Sequence, residues 1–255
     1  MQSPYLPRLF PVTATLTQGR PDHCTVPRPA DPCASRDAAP RATWETLERV
    51  FDGQAEVRGA KVDGETLHRE ITLDLSGMDG VFSFNLGTMT LERDGSLGGE
   101  RLELARPDIE IEHVVAVRGM RSLVGDSKNN FLYGSAHSED LIGGLGRDGF
   151  IGGGGRDRFI FTSLEDSSAA AGPDSIYGFT AGVDRIVIQR TEAMKDVGLS
   201  WVQGQDFTGG RPEIGILDRG CGWLQVSIDN DGDQRSDFDL MVEAAELSAR
   251  DFDFV

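Results

Sequence analysis

Four residues spaced nine apart, Asn130, Glu139, Asp148 and Asp157, offer side-chain oxygens in a fixed rhythm, each after a turn that begins with glycine. Read in nines from Gly125, the chain gives GDSKNNFLY, GSAHSEDLI, GGLGRDGFI and GGGGRDRFI. The last two copies obey G-G-x-G-x-D-x-U-x, where U is a large apolar residue. Glycines at Gly125, Gly134, Gly143, Gly144, Gly146, Gly152, Gly153 and Gly155 let the turns take backbone conformations that aim carbonyl oxygens at one centre. The acid at the sixth position adds a hard anionic oxygen. Six to eight such oxygens are what calcium takes. Asp148 and Asp157 fit best. Asn130 offers only a neutral oxygen, and Glu139 reaches one carbon further. The second copy also has Ser135 and His137 where the later copies have glycine. One or two well-held calcium ions are expected here, not a long series.

Something must hold these oxygens in place, and the end of each unit supplies it. The x-U-x segment is a short strand whose eighth residue faces inward, because strand side chains alternate. Leu132, Leu141, Phe150 and Phe159 then form an inner stack. The ninth residues, Tyr133, Ile142, Ile151 and Ile160, face the other way, which implies a further layer over that side. A glycine-rich linker would carry no such periodic apolar residues.

These nonapeptides resemble the calcium-binding repeats of the secreted RTX family. The resemblance implies a parallel β-roll in which each repeat is one turn and one strand, and two repeats make a coil. Calcium would lie between a turn and the turn two repeats later. Asp148 would therefore pair with the turn bearing Asn130, and Asp157 with the turn bearing Glu139. The upstream piece IEIEHVVAVRG resembles the lead-in found before such repeats.

After Ile160 the chain is similar to the C-terminal domain of serralysin-type metalloproteases, over about residues 119–255. The matching stretches are DSIYGFTAGVDRIVI, FTGG with Glu213, LQVSIDNDGDQRSDFDLMV and SARDFDFV. Gly178 stands where that family usually has aspartate, leaving Asp174 and Asp184 as candidate ligands or as turn caps. Asp229, Asp231, Asp233 and Asp237 alternate around a glycine like the first half of a calcium loop. The bidentate glutamate of an EF-hand is missing, and an acidic hairpin turn is the other reading. The ending Asp251-Phe252-Asp253-Phe254-Val255 resembles the acidic-then-apolar tail of type I secretion substrates. The resemblance thus implies export by a type I system, followed by folding on calcium outside the cell.

The whole chain agrees with a secreted, extracellular calcium binder. It has 255 residues and a formal charge of −17, which argues against nucleic acid and anionic membrane surfaces. No stretch approaches the roughly 18 apolar residues of a membrane span. The start, MQSPYLPRLFPVTATL, is broken by proline and arginine and does not read as a cleaved signal peptide. Cys24, Cys33 and Cys221 are too few for a disulfide framework; a local Cys24–Cys33 bond stays open. His23, His68 and His113 have no partner at zinc-binding spacing.

The expected fold is all-β: a parallel β-roll flanked by a strand-rich N-terminal cap and a β-sandwich-like C-terminal region. Residues 1–42, rich in Pro and Arg, read as a flexible leader. Residues 43–118 read as a β-rich cap or solenoid-like region, 119–165 as the roll, and 166–255 as the serralysin-like β domain with the secretion signal. Within the cap, Trp44, Leu47 and Phe51 predict a short amphipathic helix over 43–51. Period-two segments follow at 66–75, 81–86, 89–93, 101–105 and 109–117.

No catalytic constellation emerges. There is no H-E-x-x-H, no G-x-S-x-G and no phosphate-binding G-K-[ST] loop. The sequence reads as a calcium-binding module without catalysis of its own. The alternative is the C-terminal part of a larger serralysin-like hydrolase. A polysaccharide or protein target outside the cell stays open as a further partner.

Overall fold

The strands of the repeat are three or four residues long, too short to be stable alone, so each depends on the strand stacked beside it. The structure is a computed structural model. It describes residues 71–75, 77–78, 81–93, 111–116, 119–168 and 172–255, with side chains for all but Val197. It also describes the backbone of strands Thr13–Thr15, Thr43–Val50, Ala55–Val62, Glu65–Thr66 and Arg101–Glu103. His23, Cys24, Cys33 and His68 lie outside the described residues, as does the leader apart from Thr13–Thr15.

The described chain is all-β, with one short α-helix, Glu192–Val197. It winds as a parallel roll between two sheets. In the first, Phe131–Tyr133 lies between His113–Val115 and Gly149–Ile151, and Asp174–Tyr177 follows. In the second, Asp140–Ile142 lies between Met120–Val124 and Arg158–Phe161, and Arg185–Ile188 follows. Consecutive repeats therefore alternate between sheets, and a repeat pairs with the one 18 residues later.

Register carries the inner stack through both sheets. Leu73, Val114, Leu132, Phe150, Ile176 and Val242 are successive partners in the first. Phe84, Leu123, Leu141, Phe159, Ile186 and Phe252 are successive partners in the second. All twelve are buried. At about 1.5–3 kcal/mol per buried large apolar side chain, this stack is the main force holding the coils together. It also fixes the height of each turn relative to the next.

The same two sheets extend beyond the four nonapeptides. Upstream, Thr72–Asp74 and Phe82–Asn85 join in parallel, and antiparallel strands then close each sheet. Downstream, Phe238–Glu243 and Phe252–Phe254 add in parallel, with Glu213–Gly220 and Trp223–Asp229 forming an antiparallel extension of the first sheet. Thr13–Thr15 pairs antiparallel with Glu246–Ser248.

Thr43–Val50 is a strand and not the helix that the apolar spacing predicts. It pairs antiparallel with Ala55–Val62, and the register shifts between Thr46 and Glu48. Such an irregularity interrupts period-two alternation and leaves a spacing that mimics a helix. The ninth-position face is covered unevenly: Tyr133 is buried, whereas Ile142, Ile151 and Ile160 are half-buried.

Candidate metal centre

The sixth-position side chains form two ladders, one along each edge of the roll. On the first edge, Asp148 Oδ1 accepts from the Asn130 backbone N–H at 2.7 Å. Asp174 Oδ1 in turn accepts from the Asp148 N–H at 2.7 Å. On the second edge, Asp157 Oδ1 accepts from the Glu139 N–H at 3.0 Å, and Asp184 Oδ1 from the Asp157 N–H at 3.1 Å. Each acid thus reaches back one coil and uses one oxygen to hold the preceding rung. The pairing places Asp148 with the turn of Asn130 and Asp157 with the turn of Glu139. Asp174 and Asp184 form the next rung on each edge.

The second carboxylate oxygen differs between the edges: Asp184 Oδ2 accepts from the Thr180 N–H at 2.8 Å, whereas the first edge leaves its second oxygens open. Asp148 Oδ2 and Asp174 Oδ2 are buried without a hydrogen-bond partner. Burial pushes the Asp148 carboxyl up to about 8, and the nearby charges of Asp126 and Asp166 add to it. Burial likewise pushes Asp174 up to about 9, with the Asp148 charge adding. On the second edge, burial raises Glu139 to about 7 against the Ser135 hydrogen bonds, and the Asp157 charge adds. Burial also raises Asp157 to about 6. Removing carboxylates from water without a counter-charge disfavours the ionised form. A hard cation at these turns would supply that counter-charge.

The turns around these oxygens stack at backbone contact. A Cβ at Gly143 would sit 2.2 Å from Asp148 Oδ2, and one at Gly152 would sit 2.3 Å from Asp157 Oδ2. Positions 144 and 146 face the carbonyls of Asp126 and Lys128, one coil earlier. Positions 153 and 155 face Ser135 and His137 in the same way. Gly125 and Gly134 meet the carbonyls of Gly143 and Gly152. Gly144 and Gly146 also have φ of +96° and +124°, which L side chains rarely adopt. Carbonyl and carboxylate oxygens are hard donors, so the chemistry of the residues at these stacked turns fits calcium. In such a site Asp148 and Asp157 would be the anionic ligands. The bound ion would supply positive charge and cross-link successive coils.

The first two copies contribute differently. Asn130 Oδ1 accepts from the Asp126 N–H at 2.8 Å, so its oxygen serves its own turn. Glu139 folds back on Ser135, accepting from both its N–H and its hydroxyl. A further set of side chains, not anticipated from the sequence, locks the fifth positions. Asn129 Oδ1 accepts from the Arg147 N–H, and Ser138 Oγ from the Arg156 N–H. Asp251, read from the sequence as part of the tail, also holds a turn: its Oδ1 accepts from Gly182 N–H at 2.7 Å at the far end of the second edge.

The Asp229 loop is a separate arrangement. Asp229, Asp231 and Asp237 each bring one carboxylate oxygen within 4.8 Å of the others, and Asp233 lies outside this trio. Asp229 already accepts from the N–H groups of Gly232 and Gln234. Asp231, Asp233 and Asp237 accept from Asp233, Arg235 and Asn230 N–H respectively. Backbone donors thus occupy this loop, in contrast to the orphaned oxygens of the roll. No helix among the described residues is long and apolar enough to cross a membrane.

Residues 135–255 match the family model described as Peptidase M10 serralysin C terminal. The match begins inside the second nonapeptide and runs to the last residue. No curated protein matches the chain.

Proposed function

We propose, from a serralysin C-terminal-type region over residues 135–255, that this is a secreted calcium-binding RTX protein whose roll folds when calcium arrives. Export would use a type I system that reads the C-terminal tail of an unfolded chain. Catalysis forms no part of this role. The observation that carries the reading is the pair of buried, unpartnered oxygens on Asp148 and Asp174 in stacked turns. Asp148 and Asp157 are the principal anionic ligands. Gly125, Gly134, Gly143, Gly144, Gly146, Gly152, Gly153 and Gly155 shape the turns, Asn130 and Glu139 complete the first coil, and Asp174 and Asp184 extend the edges. Asp229, Asp231 and Asp233 rank behind them, because the backbone already serves that loop.

Low cytosolic calcium would leave the acidic turns repelling one another and the chain exportable. Extracellular calcium, at sites in roughly the 10⁻⁴ to 10⁻³ M class, would then drive folding. Far-UV circular dichroism during a calcium titration tests this, with magnesium as control. A gain of β signal with calcium alone supports the reading, and an unchanged spectrum in chelator opposes it.

The family match also favours a second reading, in which this is the C-terminal part of a serralysin-like metalloprotease or another hydrolase. A zinc-protease domain encoded upstream in the same frame would decide for it.

A further inference from the structure

Two clefts away from the roll's acids share one side chain, Arg190, which lines both. The larger is about 460 Å³. It lies between the turn after Arg158–Phe161, the residues that follow Arg185–Ile188, and the Asp229 loop. The smaller is about 230 Å³ and is walled by Met194, Leu199, Trp201 and Phe254. Small-molecule sites typically measure roughly 300–1,000 Å³, so the larger cleft has the size for a ligand and the smaller extends it past Arg190.

Hydrogen bonds hold the walls of the larger cleft. The Thr191 hydroxyl accepts from the Met194 N–H and donates to Asn230 Oδ1 at 2.5 Å. The Asn230 N–H donates to Asp237 Oδ2 at 2.7 Å, and Gln189 Nε2 donates to the Val255 oxygen at 3.0 Å. These bonds leave the Asn230 amide nitrogen as a donor and the Gln189 amide oxygen as an acceptor. The Glu165 carboxylate and the Arg190 guanidinium line the same cleft with no partner among the described residues.

These groups select the ligand's chemistry. Glu165 and Asp237 oppose an anion, and Arg190 opposes a cation, so a neutral molecule meets the least repulsion. It must also offer both donors and acceptors, since a ligand lacking either leaves wall groups unpaired. Carboxylate and guanidinium are planar forks that meet two neighbouring polar groups at once. Adjacent hydroxyls on a sugar ring are such a pair, and each hydroxyl both donates and accepts. The smaller cleft adds a platform. Trp201 is half-buried there, with its ring tilted at 69° to Phe252 and 5.5 Å from it. The negative face of an aromatic ring attracts the weakly positive C–H face of a sugar.

We propose that the paired clefts around Arg190 bind a neutral oligosaccharide, one ring among Glu165, Arg190, Asn230 and Asp237 and the next against Trp201. No acid of the roll's two ladders lines either cleft, so the proposal stands apart from the cation reading.

Glycan-array binding by the full chain tests it, in calcium and in chelator. The array carries neutral hexose oligosaccharides beside uronate, sulfated and amino-sugar glycans. Neutral glycans should be retained about tenfold above the charged ones, because like charges in the cleft are costly. Arg190→Ala, which breaks no side-chain bond among the described residues, should cut that retention about fivefold. Glu165→Gln should hold neutral binding within about twofold and raise uronate binding about fivefold, a change of selectivity that a structural role would not produce. Circular dichroism first matches each variant to the parent. No retained glycan in either condition, or a parent that prefers charged glycans, would overturn the proposal. So would full retention by Arg190→Ala, or unchanged selectivity in Glu165→Gln.

Discussion

Asp148 and Asp174 stand one coil apart on the same edge, joined by a 2.7 Å hydrogen bond from the Asp148 backbone to the Asp174 carboxylate. Each keeps one buried oxygen without a partner. Buried carboxylate oxygens without a counter-charge oppose closing the roll.

Asp148→Asn separates the two states. The amide keeps the oxygen that accepts from Asn130 but replaces the orphaned one. In calcium, the variant should lose about 1.5–3 kcal/mol, the worth of a charged-group interaction. In chelator it should match or exceed the parent, since a buried uncompensated charge has been removed. Thermal melts in both conditions check the reversal. Equal losses in both would show that Asp148 only holds the turn.

The pH dependence follows from the raised carboxyls. Asp148, Asp174, Glu139 and Asp157 lie at about 8, 9, 7 and 6 in the folded roll, above their ordinary values of 3.8 for Asp and 4.5 for Glu. Between those limits the folded state binds more protons than the unfolded one, so calcium-free stability falls as pH rises from about 4 to about 9. Calcium competes with those protons. The extra stability that calcium confers should therefore grow over the same range. Denaturation midpoints with chelator and with calcium, taken at each pH, measure both slopes.

Two glycines separate backbone conformation from close approach. Gly153 has φ of +91°, and a Cβ there would sit 1.9 Å from the Ser135 carbonyl. Gly178 has φ of +67° with nothing within 4 Å. Gly178→Ala should cost about 1 kcal/mol, the left-handed penalty alone. Gly153→Ala should cost on the order of 3 kcal/mol and weaken calcium binding, because the stacked turns must separate. Denaturant titrations in calcium compare them, and equal costs would show that the turns are not in contact.

The repeat was legible because one period fixes three things at once: the turn, the acid and the inward residue. Leu132, Leu141, Phe150 and Phe159 fall in register as their nine-residue spacing requires. Legibility ends where that period is broken. Leu73 and Phe84 join the same inner stack, but longer connections separate them from Val114 and Leu123. The irregularity between Thr46 and Glu48 hid a strand behind helical spacing. Asp251 meets Gly182 only through tertiary pairing, so its local sequence, legible as part of an acidic-apolar tail, did not mark that contact. The Tyr177–Trp223 ring contact has the same cause, since the two residues lie far apart in the chain and meet across strands.

A crystal structure of the calcium-loaded chain, with anomalous scattering recorded at long wavelength, tests the central claim most directly. The account predicts peaks between the turn of residues 125–130 and that of 143–148, and between 134–139 and 152–157. Each peak should lie about 2.3–2.6 Å from an Asp148 or Asp157 oxygen and from carbonyls of the turn above. Clear turns with no peak beside either aspartate, or lysine and arginine side chains taking up those oxygens, would contradict it.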